Sequence, residues 1–161
     1  MADWSIQNVR DLKWYDGGPR GHLAQLVSDD SAQVGVNLFV LEPGQPMAMY
    51  HWEADQEGFL VLSGEAILII DGEERTIRQW DYVHCPPGVP HTRVGAGDGP
   101  CVILAIGARE HQDGDGWGGY PVSELAMRYD AASPVETTDG DVAYERFPRM
   151  QPGEFREEWL A

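Results

Sequence analysis

A chain of 161 residues at 17.9 kDa is the size of one domain. Its formal charge of −16, with Lys13 the only lysine, argues against nucleic acid as a partner, and an anionic substrate needs an arginine or a metal to draw it in. Residues 1–20 hold no uninterrupted apolar run of signal-peptide type and no stretch approaches a membrane span, so the expectation is a cytoplasmic protein with no membrane partner.

The N-terminal arm, residues 1–20, carries Trp4, Ile6, Val9, Leu12, Trp14 and Tyr15 and is expected to lie along the body of the protein. A β-barrel is expected over residues 21–109. It opens with the strands HLAQLVS and VGVNLFVL, separated by the polar turn Asp29-Asp30-Ser31. Alternation sets Val34, Val36, Leu38 and Val40 on one face and Asn37 and Phe39 on the other, and apolar groups on both faces predict that both are covered.

After Pro43-Gly44, a strand from Pro46 to Glu53 points Met47, Met49, His51 and Glu53 to one side. FLVLSGEAILII then runs to the hairpin signal Asp71-Gly72 and returns as EERTIRQW. The unbroken apolar run Ile67–Ile70 predicts burial on both faces, with a partner copy or the tail on the outside and a homodimer as the expected assembly. The rigid turn PPGVP restricts the chain ahead of His91, and CVILAIGA is the closing strand. Cys85 and Cys101 read as small buried hydrophobes. The extension, residues 110–161, is expected to pack on the barrel or on a partner, with short helices after Pro121 and around Phe155 and Trp159.

Chemistry concentrates between Pro43 and Gly95. His51, Glu53 and Glu57 lie near one turn and His91 returns after the hairpin; two imidazoles and two carboxylates are donors that a divalent transition metal prefers. Arg93 shares parity with His91 and is a candidate to hold a substrate carboxylate or phosphate. Met47, Met49, Phe39, Phe59 and Val61 read as barrel lining. His84 faces outward, and His22 and His111 are expected at the surface. The segment Asp113-Gly114-Asp115-Gly116 reads as a flexible turn, since the later ligands of a calcium loop are missing.

Two motifs resemble the cupin family. Gly44, His51, Glu57 and Gly64 match the first, with Glu53 where a second histidine is usual; Pro86, Gly88 and His91 match the second, with Trp80 in place of its glycine and Gly95 in place of its asparagine. The resemblance implies an all-β double-stranded β-helix with a partly helical C-terminal tail and a metal near the barrel axis, held by residues at positions 51, 53, 57 and 91. Either Glu53 binds the metal, or it turns away as a general base and leaves His51, Glu57 and His91 as a two-histidine, one-carboxylate face. Iron or manganese is the expected metal, with zinc, nickel and cobalt as further candidates. The expected activity is that of an oxygenase, a dioxygenase-type oxidoreductase, on a small-molecule substrate, with Glu53 and Arg93 in catalytic roles. The alternatives are a metal-dependent isomerase or epimerase and a non-catalytic ligand-binding module.

Overall fold

The computed structural model describes residues 4–27, 32–112 and 116–160; the expected turn at 29–31 and residues 113–115 of the expected Gly/Asp turn lie outside them. In chain order the strands are β1 (Trp14–Asp16), β2 (His22–Val27), β3 (Val34–Leu41), β4 (Trp52–Glu53), β5 (Glu57–Ser63), β6 (Glu65–Ile70), β7 (Glu73–Arg78), β8 (Tyr82–Cys85), β9 (His91–Ala96), β10 (Cys101–Ala108), β11 (Gly118–Gly119) and β12 (Gln151–Gly153). One-turn helices α1 (Glu124–Met127) and α2 (Gly140–Ala143) lie in the extension. The fold is the all-β double-stranded β-helix. A sheet ordered β12-β1-β2-β3-β10-β5-β8 packs on a smaller one ordered β7-β6-β9, and β4 pairs with β11.

The two sheets meet through alternating inward residues: Leu41, Phe59, Val61 and Ile103 from the larger pack with Ala66, Leu68 and Ile77 from the smaller, and both cysteines are buried here. Each large side chain buried this way stabilises the fold by about 1.5–3 kcal/mol. The Asp71-Gly72 hairpin forms as expected, with φ of 48° and 77° at the two turn residues, the left-handed pair that matches strand twist.

Both outer faces are covered. Trp14, Leu38, Val40 and Val102 pack under Trp159, whose ring stands 4.8 Å from that of Trp14. Ile69 and Val94 on the smaller sheet pack under Tyr50, Ala126, Ala131 and Ala132, so the extension supplies the outer cover of the Ile67–Ile70 strand.

Four local expectations change. The chain from Pro46 to His51 is not a continuous strand. It runs antiparallel beside β9 with irregular pairing: Pro46 bridges Val94, Met47 N–H donates to the Arg93 carbonyl at 2.7 Å and His51 bridges His91, so five steps of this segment face three of β9, and only Trp52–Glu53 pairs as the regular strand β4. The helix after Pro121 begins at Glu124, where the Ser123 hydroxyl accepts the Ala126 N–H at 3.2 Å. Phe155 and Trp159 do not share a helix face; Phe155 precedes a 3-10 turn at Glu157–Leu160 and meets Trp159 edge-on at 5.9 Å. His22 is buried, since the C-terminal turn lays Trp159 over it with ring centres 4.8 Å apart.

The extension is fastened by β12 on β1 and by the Tyr144 hydroxyl, which accepts the backbone N–H of Met49 at 3.1 Å. Tyr144→Phe leaves that N–H without an acceptor, and the expected loss is about 1–3 kcal/mol in urea unfolding with the slope unchanged.

Candidate metal centre

The backbone brings the two histidines together. His51 N–H donates to the His91 carbonyl at 3.2 Å and His91 N–H to the His51 carbonyl at 2.8 Å, which sets the ring centres 5.0 Å apart. The Pro86–Pro90 turn is held against the same place, because Gly88 N–H donates to the Glu53 carbonyl at 2.7 Å. Glu57 enters from the start of β5, opposite Cys85.

Each ring is oriented from behind. His51 Nδ1 lies 2.7 Å from the Met49 carbonyl and His91 Nδ1 lies 2.8 Å from the Val89 carbonyl. A carbonyl only accepts, so the hydrogen bonds assign the protons to Nδ1 and turn both Nε2 lone pairs inward in the neutral rings. His91 Nε2 stands 3.0 Å from Glu57 Oε2, yet both atoms are buried without a hydrogen bond. His51 Nε2 is 3.9 Å from the same oxygen and 3.5 Å from Glu53 Oε1. One ligand atom from each of His51, Glu57 and His91 lies within 4.8 Å of the others; Glu53 stands beside His51, outside that trio.

The 3.0 Å between His91 Nε2 and Glu57 Oε2 fits two ligands of one cation, while His51 Nε2, 3.9 Å from the same oxygen, would close in by about half an ångström to join them. Ligands about 2.1 Å from a common cation stand about 3.0 Å apart at a right angle and about 3.4 Å apart at a tetrahedral one. Two facing acceptors at 3.0 Å repel unless a cation or a proton lies between them, and burial of both removes water as a remedy.

Burial and charge divide the titrating groups. His91 is held below the ordinary range by burial first and then by Arg93 and His51, against the opposing Glu57 carboxylate, so a neutral ring is favoured. Burial alone would lower His51, but Glu53 and Glu57 outweigh it and raise the group. Glu53 is raised, by burial first and then by the Glu57 charge. Glu57 is lowered despite burial, because His91, His51 and Arg93 favour its anion.

Arg93 lies at the floor, wholly buried, its guanidinium carbon 3.0 Å from the centre of the Phe59 ring and none of its three side-chain nitrogens hydrogen-bonded. Burial draws its pKa down to about 10, which still leaves a full positive charge at neutral pH. In this arrangement Arg93 acts on the carboxylates through space.

The remaining candidates separate. His84 is exposed, as expected, with Nε2 3.1 Å from Gln56 Oε1. Phe39 and Met47 line the cavity, Phe59 and Val61 lie in the core behind it, and Met49 packs against Arg146. His111 is exposed but anchored: its Nδ1 lies 2.7 Å from Asp55 Oδ1 and its backbone N–H donates to Oδ2 at 3.0 Å. This latch ties the extension to the loop before Glu57.

The latch gives a pH prediction. The Asp55 hydrogen bond and charge raise His111 above 6.5, so its contribution to stability is complete below that value and lost as pH rises through the folded-state value. Burial would raise Asp55, but the His111 bonds outweigh it and lower the group from 3.8; its contribution is complete above that value and lost as pH falls through the folded one. The latch is therefore strongest between about 4 and 6.5. Proton NMR of the His111 ring is expected to show a midpoint above 6.5 that falls back toward 6.5 in Asp55→Asn.

Above the centre opens a cavity of about 750 Å³. The extension forms one wall, with Trp117, Tyr120 and Tyr144; Tyr120 stands edge-on to Tyr144 at 5.8 Å and 6.0 Å from the His51 ring. Asn37, Gly35 and Arg109 line the wall built by β3 and β10. Of these six residues strand parity placed Asn37 on the face of Phe39, and none was singled out from the sequence as part of the site; nothing local marks Tyr120.

A profile of the cupin domain family matches residues 37–107. Residues 37–107 form a cupin domain. In structure it is similar to a protein from Acidithiobacillus ferrooxidans provisionally described as a sugar phosphate isomerase, at 27% identity over 56% of this chain and 62% of that one, with a TM-score of 0.50; this cupin thus spans less than two thirds of that protein's length. It is also similar to a cupin-superfamily sugar phosphate isomerase from Silicibacter pomeroyi (24% identity, 65% and 76% of the two chains, TM-score 0.58) and to an RmlC-like cupin from Shewanella frigidimarina (15%, 69% and 96%, TM-score 0.59). A sequence comparison with curated proteins finds no match.

Proposed function

We propose that this cupin is a metal-dependent enzyme in which His51, Glu57 and His91 hold a divalent transition metal, iron or manganese first, beneath a cavity that takes a small organic substrate. The observation that carries this reading is the pair of buried, unbonded acceptors, His91 Nε2 and Glu57 Oε2, 3.0 Å apart with the His51 ring beside them. Two histidines and one carboxylate leave coordination positions open and are the donor set of non-haem iron oxygenases, so oxygenase-type chemistry is the leading reaction. When bound, the metal supplies Lewis acidity and, if redox-active, electrons for dioxygen. The chain supplies the rest. Glu53, its carboxyl raised by burial, takes a substrate proton; Arg93 steadies the carboxylates from below; Trp117 and Tyr120 keep water from the reacting side.

The test is metal analysis of protein purified without chelator, followed by oxygen uptake with small acids, diketones and phenols. Bound iron or manganese together with substrate-dependent uptake is the expected result; metal content at background overturns the reading.

A second reading is favoured by Glu53, which stands 3.5 Å from His51 Nε2 outside the ligand trio, and by the 27% identical protein described as a sugar phosphate isomerase. A base beside an electrophile moves a proton between adjacent carbons with no oxidant. Incorporation of solvent deuterium into a sugar phosphate under nitrogen, abolished in Glu53→Gln, would select this reaction over the oxygenase.

A further inference from the structure

We infer that the hydroxyls of Tyr120 and Tyr144 form a donor pair for a substrate oxygen that gains negative charge in the reaction, and that the substrate is a small carbonyl compound with an acidic C–H beside the carbonyl, which rests on the proposed role of Glu53 as the base. Both tyrosines lie in the extension, outside residues 37–107 of the cupin domain.

Each is fixed by the backbone around it. Tyr120 follows β11 and exchanges two hydrogen bonds with Thr137, its N–H donating to the Thr137 carbonyl at 2.8 Å and its carbonyl accepting the Thr137 N–H at 3.2 Å. Tyr144 closes α2, its N–H donating to the Gly140 carbonyl at 2.9 Å. The Tyr144 ring meets the Arg20 guanidinium carbon at 4.6 Å from its centre and the Tyr120 ring edge-on at 5.8 Å. Both tyrosines line the cavity above the metal centre, together with Glu53 and His51. Gly140, also in that lining, puts no side chain against the Tyr120 hydroxyl, which lies 3.6 Å from where a Cβ would stand.

The hydroxyl protons are left for a ligand. The Tyr144 oxygen accepts the Met49 N–H at 3.1 Å, so its own proton is turned away from Met49. Neither hydroxyl finds an acceptor among the described residues, and a phenol keeps its proton at neutral pH. The N–H bond to the Tyr144 oxygen polarises its O–H and strengthens it as a donor, and the Arg20 cation against the same ring adds positive potential. When a carboxylate takes a proton from carbon, the C–H pair forms a C=C bond and the carbonyl π pair moves onto oxygen. The negative charge thereby passes from Glu53 to the substrate oxygen. Hydrogen bonds to a charged acceptor are about twice as strong as neutral ones, so two fixed O–H donors act most on that developing charge. On a chain of formal charge −16 the wider field opposes an oxyanion, and the tyrosines with Arg20 supply the local compensation.

The experiment is an absorbance titration of the full chain, as purified and after chelation, with 4-nitrophenol as an oxyanion probe and 4-nitroanisole as a probe of the same shape without one. Wild type is expected to bind the phenolate form. Tyr120→Phe and Tyr144→Phe are each expected to weaken it by about tenfold or more, the effect of losing a hydrogen bond to a charged group, and to leave nitroanisole binding unchanged. Tyr120→Phe decides the matter, because its hydroxyl has no partner in the fold and its removal is expected to leave the urea midpoint and the metal content unmoved. Equal phenolate affinity in wild type and a folded Tyr120→Phe protein overturns the inference, as does a loss of nitroanisole binding of the same size, or failure of the wild type to bind the phenolate. If metal is at background in every form while phenolate binding still depends on Tyr120, the metal reading fails and the donor pair stands.

Discussion

His91→Ala is expected to bring the metal content of the purified protein to background. Among the described residues that form the trio, His91 is the most enclosed, its Nδ1 proton committed to the Val89 carbonyl and its Nε2 facing Glu57 at 3.0 Å. Loss of an outer hydrogen-bonding partner of a metal ligand already weakens binding by about 10–100-fold, and loss of the ligand itself is expected to exceed that range. Glu57→Gln tests the same centre without opening a cavity, since the amide keeps the volume and removes the negative charge that balances the cation; it is expected to fail in the same way. Glu53→Gln is expected to retain metal and lose turnover, because Glu53 stands outside the trio. The thermal readout follows from linkage. A ligand present at about a thousand times its dissociation constant stabilises the folded state by about 4 kcal/mol, so chelation lowers the midpoint of the wild type and leaves that of His91→Ala unmoved. Equal metal content in wild type and both ligand variants would show that the metal sits elsewhere.

The sequence was informative wherever a local rule had no competitor. Apolar groups on both faces of β3 and the continuous apolar run of β6 were enough to put both faces of each strand under cover, and the Asp71-Gly72 turn allowed one hairpin geometry. The three residues His51, Glu57 and His91 were recognisable from donor type and motif. What the residues left open was the place of Glu53, because the segment beside β9 slips in register between its bridges to Val94 and His91, so strand parity is not carried forward to it. Arg93 was placed on the inner face correctly, but parity is blind to depth, and it could not distinguish a substrate contact from a guanidinium sealed against Phe59. His22 misled for a related reason: its cover comes from Trp159 at the far end of the chain, a contact that no window of neighbouring residues contains. The extension was the least legible part. Its strands and helices are two to four residues long, too short for periodicity, and its hold on the barrel depends on single contacts such as Tyr144 to Met49 and His111 to Asp55.

The two departures from the second cupin motif are expected to respond in opposite directions when the family residue is restored. At position 95 the family has asparagine. Here Gly95 lies under the turn that carries the chain from β3 toward His51: its N–H donates to the Gln45 carbonyl at 2.9 Å and its carbonyl accepts the Gly44 N–H at 2.8 Å. Any Cβ at this position would fall inside contact distance of the Glu42 carbonyl oxygen and 2.9 Å from both the Glu42 carbonyl carbon and the Leu41 oxygen. Those are backbone atoms, and a hydrogen-bonded turn has no cheap way to move them aside. Gly95→Asn is therefore expected to destabilise the protein by about 3 kcal/mol or more, a fall of roughly 6–12 °C in Tm for a domain of this size. At position 80 the family has glycine, and this chain places Trp80 at φ 73° with its side chain 70% exposed. A left-handed backbone costs a residue with a Cβ about 1–2 kcal/mol, while glycine's extra freedom in the unfolded chain returns about 0.5–1 kcal/mol of that. Little burial is lost with an indole that faces solvent, so Trp80→Gly is expected to raise Tm by roughly 1–4 °C. Calorimetry of the two single variants under identical metal loading checks both signs. A stable Gly95→Asn protein would mean that the turn after β3 sits farther from β9 than these contacts require, and with it the backbone path that delivers His51 to His91.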